Sequence, residues 1–203
     1  MRNIAWPLVF IVLMFYCFGF THDKPKLKTG DILFISSTGG QGKAIQLATK
    51  SKYTHVGVVF VENGKVYVYH AVEPVMKSTL DEFLQYSADG KYVAKRLKDK
   101  ALLNDAANEK MRQMATGLLG KHYDIYFNWK DDEWYCTEFV WKLYDRNYKL
   151  QVGALRPLKD FDLSSKEVQS VMKKRYGDRI PYDEKMISPQ DMFDSDLLEE
   201  VKE

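Results

Sequence analysis

Apolar positions along the chain change their period several times, and each change marks an element. In "LKTGDILFISS" the apolar residues 32–35 follow one another between Gly30 and a serine pair, the pattern of a short buried strand. In "KAIQLATK" the spacing lengthens, and Ala44, Ile45, Leu47 and Ala48 form one face of a predicted short helix. Strand character returns in "HVGVVFVENGKVYVYHAV", two β-branched and aromatic runs around Asn63-Gly64, a two-residue hairpin signal. With those two residues as the loop, Glu62 stands opposite Lys65, Val59 opposite Val68, Gly57 opposite His70 and His55 opposite Val72. Side chains alternate, so His55, Gly57 and His70 share a face. His55 and His70 become diagonal neighbours, with backbones roughly 7–8 Å apart, and Gly57 leaves room for an imidazole. Glu73, the nearest carboxylate, falls on the other face.

The second half is mainly helical. After a short helix and a strand in "MKSTLDEFLQYSADGKYVAKRL", the segment "NDAANEKMRQMATGLLGK" places Ala106, Met111, Met114, Leu118 and Leu119 on one side, with Gly120 as a stop. An aromatic loop, "HYDIYFNWKDDEWY", leads to "CTEFVWKLYDRN", where Cys136, Phe139 or Val140, and Leu143 fall on one helical stripe. Cys136 therefore sits at or near a helix N-terminus. A further helix spans residues 165–176, and "SPQDMFDSDLL" closes the pattern; no internal repeat or low-complexity segment occurs. An antiparallel sheet packed against helices, an α+β fold, is expected.

The N-terminus follows a different rule. "MRNIAWPLVFIVLMFYCFGF" is apolar over residues 4–20, interrupted only by Pro7 and Gly19, and reads as an address, not part of the fold. A cleaved signal peptide and an uncleaved membrane anchor both fit residues 1–20, leaving residues 27–203 as an exported domain of the cell envelope. Oligomeric state is not legible. The 203 residues carry a net charge of +2 with Lys and Arg dispersed, which argues against nucleic acid as a partner. The densest cluster, "MKKRYGDR", reads as a solvated helix face.

Export changes the meaning of the cysteines. Of the two, Cys17 lies in the address segment, so Cys136 has no partner in an oxidising compartment. A thiol attacks as thiolate, and a helix N-terminus with an adjacent imidazole lowers its pKa. Cys136 is the candidate nucleophile, His55 the base, and His70 the group that fixes the orientation of His55. His22 and His122 read as surface residues. Gly39, Gly40, Gly42 and Lys43 imitate a phosphate loop, but Ser37 and Ala44 stand where Gly and Ser or Thr are required. Two His and one Cys also suit zinc, yet separations of 15 and then 66 residues (70 − 55 and 136 − 70) are no zinc signature. No metal and no cofactor are assigned.

The segments "GDILF", "KAIQLATKSKYTHVG", "YVYHAVEPV", "GKHYDIYFNW", "YCTEFVWKLY" and "ISPQDMFDS", in this order, resemble the YiiX/YebB-like branch of the permuted papain-like hydrolases. That family is related to NlpC-type amidases and to lecithin retinol acyltransferase. The resemblance covers about residues 27–195 and implies a circularly permuted papain-like domain, with the His-bearing sheet before the Cys-bearing helix. It implies the nucleophile in "YCTEFV", Cys136, the base in "YTHVG", His55, and the polar third residue in "YVYHAV", His70. Relatives carry Glu at this third position, and the retinol acyltransferase branch carries His; the exchange bears on the pH profile. Tyr53 is carried over as a supporting residue and Glu138 as structural. The implied reaction runs through an acyl-Cys intermediate on an amide or acyl ester, with a cell-wall peptide or a lipid as substrate. Acyl transfer, and a catalytically idle binding module, are the alternatives.

Overall fold

The computed structural model describes residues 26–37 and 40–202; the address segment, Cys17, His22 and Gly39 lie outside them. Six strands form one antiparallel sheet in the order β4-β3-β2-β1-β5-β8: β1 (Ile32–Ile35), β2 (His55–Glu62), β3 (Lys65–His70), β4 (Met76–Thr79), β5 (Val93–Leu97) and β8 (Leu198–Glu200). A two-stranded ribbon pairs β6 (Arg156–Pro157) with β7 (Lys185–Met186). Among the described residues six α-helices, α1 (Gly40–Thr49), α2 (Leu80–Leu84), α3 (Asp105–Gly117), α4 (Cys136–Tyr148), α5 (Lys166–Tyr176) and α6 (Pro189–Phe193), and two 3-10 turns, Lys100–Leu102 and Leu158–Asp160, complete the order.

The β2–β3 hairpin has the expected register, Glu62 against Lys65 and Val59 against Val68, with Asn63 and Gly64 both at positive φ. Two apolar layers follow from its alternation. Val56, Val58 and Phe60 join Ile32 and Phe34 under α4, whose Phe139, Val140 and Leu143 are fully buried. Val59 and Val68 face the other way, with Leu33, Ile35 and Phe83 of α2. Helix α2 starts at a capping box in which Thr79 Oγ1 accepts from the Glu82 N–H, and the Glu82 carboxylate accepts from the Thr79 N–H. The expected α3 stripe holds at Met111, with Met114, Leu118 and Leu119 partly buried against the core, while Ala106 is exposed and Ala115 is buried.

Gly57 is needed for a close approach and not for an unusual φ. A Cβ there would lie 2.5 Å from Val68 Cγ1 and 3.2 Å from His70 Cβ. Gly57→Ala should therefore cost about 1–3 kcal/mol of stability, read in urea unfolding, and displace the His70 ring. A variant as stable as the parent would show that β3 yields at this point.

Candidate active site

The hairpin sets His55 and His70 on the face with Val59, and their rings meet edge to face. His55 Nε2 and His70 Nδ1 lie 3.0 Å apart, and His70 Nε2 lies 3.0 Å from Ser78 Oγ on β4. His70 and Ser78 are fully enclosed and His55 nearly so, with Phe83 and Tyr86 packed over both imidazoles. Ser78 escaped the sequence reading because "MKST" has no apolar alternation to mark β4 as a strand. Burial drives both imidazoles toward their neutral forms: His55 falls well below its ordinary value, helped by His70, and His70 falls to about 4.

That depression has a consequence for stability. The unfolded chain binds protons on these rings from about pH 6.5 downward, the folded chain only at lower pH, so protonation favours unfolding between those limits. Stability should fall as pH drops from 6.5 toward 4, by up to about 1.4 kcal/mol per pH unit for each imidazole. Urea midpoints measured across that range should show a shallower fall in His70→Gln; parallel curves would exclude His70 as a source.

Cys136 is the first residue of α4 and is buried. The chain enters the helix through Tyr135, whose N–H donates to Glu138 Oε2 at 3.3 Å, while its carbonyl accepts the first helical bond from the Phe139 N–H. Helix α4 packs on the sheet face opposite the imidazoles, so its first turn meets β2 at the strand's start and not across the face of the pair. The Val56 N–H, next along the chain from His55, points at the sulfur together with the Thr137 N–H. Among the described residues no hydrogen bond joins the thiol to the imidazole.

The expected lowering of the thiol pKa is not found. Burial pushes Cys136 up to about 11, against the pull of those backbone N–H groups. Burial thus favours the neutral form of the thiol and of both imidazoles.

Two phenols near the sulfur lay outside the sequence reading. Gln41 Nε2 donates to Tyr123 Oη at 3.3 Å, and the Ile187 N–H donates to Tyr135 Oη at 3.3 Å. Burial raises both hydroxyls above the ordinary tyrosine value, so both stay protonated donors. No periodicity joins Gln41 to Tyr123, 82 positions away. Tyr53 serves packing: its ring stacks on Phe193 at 4.5 Å and meets Phe34 edge-on at 5.7 Å. His122 is exposed, with Nδ1 2.9 Å from Glu73 Oε1, away from the hairpin pair. Glu138 is structural, bound to Lys142 Nζ at 2.6 Å inside the core.

A hydrophobic cleft of about 100 Å³ has Cys136 and Thr54 in its lining. It runs between α1 and α5.

The family model for the "Permuted papain-like amidase enzyme, YaeF/YiiX, C92 family" matches residues 26–202. The chain belongs to these permuted papain-like amidases. It is 44% identical over 174 residues to the uncharacterized protein YiiX of Escherichia coli (strain K12), covering 86% of this chain and 85% of the relative. The crystal structure of the metalloprotein yiiX from Escherichia coli O157:H7 superposes with a TM-score of 0.82 at 43% identity, covering 87% of this chain and 97% of that one. The permuted papain-like fold expected from the motifs is thus the fold of this chain.

The solved relative is called a metalloprotein, which makes the donor set here worth testing. His55 and His70 direct ring nitrogens at each other, and the second nitrogen of His70 faces Ser78, so the pair does not converge on one ion. No group of three or more His, Cys, Asp or Glu side chains suited to a metal occurs among the described residues. The donors of this site do not fit a resident metal.

Proposed function

We propose that this amidase-family chain is a cysteine hydrolase that cleaves an amide or acyl ester bond through an acyl-Cys136 intermediate. The observation that carries the reading is the chain His55–His70–Ser78 at the start of β2, beside a thiol that opens a helix. A base that receives a thiol proton on Nδ1 carries its own proton on Nε2. His55 Nε2–H then donates to His70 Nδ1, and His70 Nε2–H donates to Ser78 Oγ, one tautomer set that satisfies every close approach.

Substrate entry draws Sγ and His55 Nδ1 together, as catalytic contacts that are long in the free enzyme commonly tighten in the complex. The thiol proton passes to His55 as sulfur attacks the carbonyl, so thiolate forms only during attack. The N–H groups at the start of α4 and the Tyr123 and Tyr135 hydroxyls stand near the developing oxyanion. Collapse breaks the C–N or C–O bond, and His55 returns the proton to the leaving group. Water, deprotonated by His55, then attacks the thioester, releasing the acid and the thiol. His70, a neutral partner, steadies the transient imidazolium less than a carboxylate does.

Residues 4–20 support action in the cell envelope, on a wall peptide or a lipid, and membrane attachment through that segment. Among the described residues no helix is long and apolar enough to cross a membrane. The test is to incubate the protein with an envelope extract, quench in acid, and analyse the peptide containing Cys136 by mass spectrometry. A mass increase on Cys136 that hydroxylamine removes is expected. An unmodified thiol under conditions of turnover sinks the reading.

A further inference from the structure

The walls of the cleft are unlike those of a peptide site. Ala44 and Ala48 of α1, Val168 and Met172 of α5, and Leu158 and Phe161 between them supply side chains without hydrogen-bonding groups. Arg175 is the only ionised side chain in the lining, and its guanidinium lies 4.3 Å from the centre of the Phe127 ring. Peptides of the cell wall carry carboxylates and ammonium groups, and burying such groups against these walls would leave them unpaired. A chain of methylenes loses nothing there and gains from every group removed from water. The polar atoms of the lining, the Cys136 thiol and the hydroxyls of Thr54, Tyr123, Tyr135 and Thr137 among them, include those gathered around the sulfur, where a carbonyl would be attacked.

We propose that the cleft is an acyl-chain channel, and that the compounds cleaved at Cys136 are O-acyl or N-acyl molecules with a long, unbranched acyl group. The acyl tail lies between α1 and α5, its carbonyl reaches the sulfur, and the leaving alcohol or amine points out of the channel. This rests on the hydrolase reading for the chemistry, but the affinity of the channel for an apolar chain does not depend on it.

The two are separated by ligands with no scissile bond. Binding of 1-alkanols from butanol to decanol to the full chain should tighten about four-fold per added methylene until the chain fills the channel. Ala48→Trp, which fills the space between α1 and α5, should abolish the gradient. In parallel, kcat/KM for p-nitrophenyl esters from acetate to decanoate should rise with length in the parent and stay flat in Ala48→Trp. The parent gradient decides the matter even if that variant fails to fold. Equal affinity for butanol and decanol overturns the channel, even with acyl-Cys136 trapped. A steep alkanol gradient with no acylation of Cys136 overturns the hydrolase reading and leaves the ligand class of the channel standing.

Discussion

Replacing Cys136 by alanine should lower hydrolysis of amide and acyl ester substrates by about 10⁴-fold or more, the scale lost when a covalent nucleophile is removed. The alanine variant keeps the His55–His70–Ser78 chain and the α4 N–H groups, so it isolates bond formation to sulfur from orientation and oxyanion stabilisation. Its fold should survive, because the position is buried and alanine fits the same space less one sulfur. Cys136→Ser should be nearly as inactive, since an alkoxide is harder to form than a thiolate beside a base as weak as His55. The measurement is kcat/KM on esters of several acyl lengths, with unfolding curves as the control for folding. Undiminished turnover in the alanine variant places the nucleophile elsewhere.

The largest effect on stability is expected at Lys142. Its ammonium is 4% exposed and donates to Glu138 Oε1 at 2.6 Å, Asp131 Oδ1 at 2.9 Å and the Lys130 carbonyl at 2.9 Å. Glu138 is 0% exposed, and burial pushes its carboxyl up to about 8 although Lys142 pulls it down. Among the described residues Lys142→Met removes the only cation paired with that carboxyl and takes the side-chain donor from the Lys130 carbonyl, while Asp131, more than half exposed, keeps Arg146. Breaking a buried pair from one side costs about 3–5 kcal/mol, against 0–1 for an exposed pair. Urea unfolding at pH 9, above the value at which the Glu138 carboxyl gives up its proton, should show a loss in the higher range. Lys142→Met combined with Glu138→Gln should recover part of it, since the uncompensated acid is then gone. A single-variant loss under 1 kcal/mol would mean that solvent reaches the pair.

Much of this site was legible because it is local. Asn63-Gly64 sets the register, the register sets the face, and His55 and His70 meet with no help from distant chain. Cys136 opening α4 followed from the helical spacing of its neighbours and from family motifs. What stayed hidden depends on docking. Which face α4 covers is decided by apolar groups on both sides of a sheet buried twice over, and a strand with apolar residues on both faces does not say which one a helix will take. The thiol therefore meets β2 at the Val56 N–H, at the strand's start, which no pattern of apolar positions reveals. Its raised pKa has the same origin, because the enclosure of Cys136 is built by segments as remote as α1 and α5.

The sheet order bears on behaviour at high concentration. His55 and His70 occupy β2 and β3, and the outer strands are β4 and β8, four and three residues long. Lys77 sits on one and Glu199 and Glu200 on the other. Short, charged outer strands offer a neighbouring molecule few unpaired backbone groups and an electrostatic penalty for using them. Fibril-like growth from this sheet is thereby discouraged at both margins, and the pairing that brings the two imidazoles together is shielded from invasion by a foreign strand.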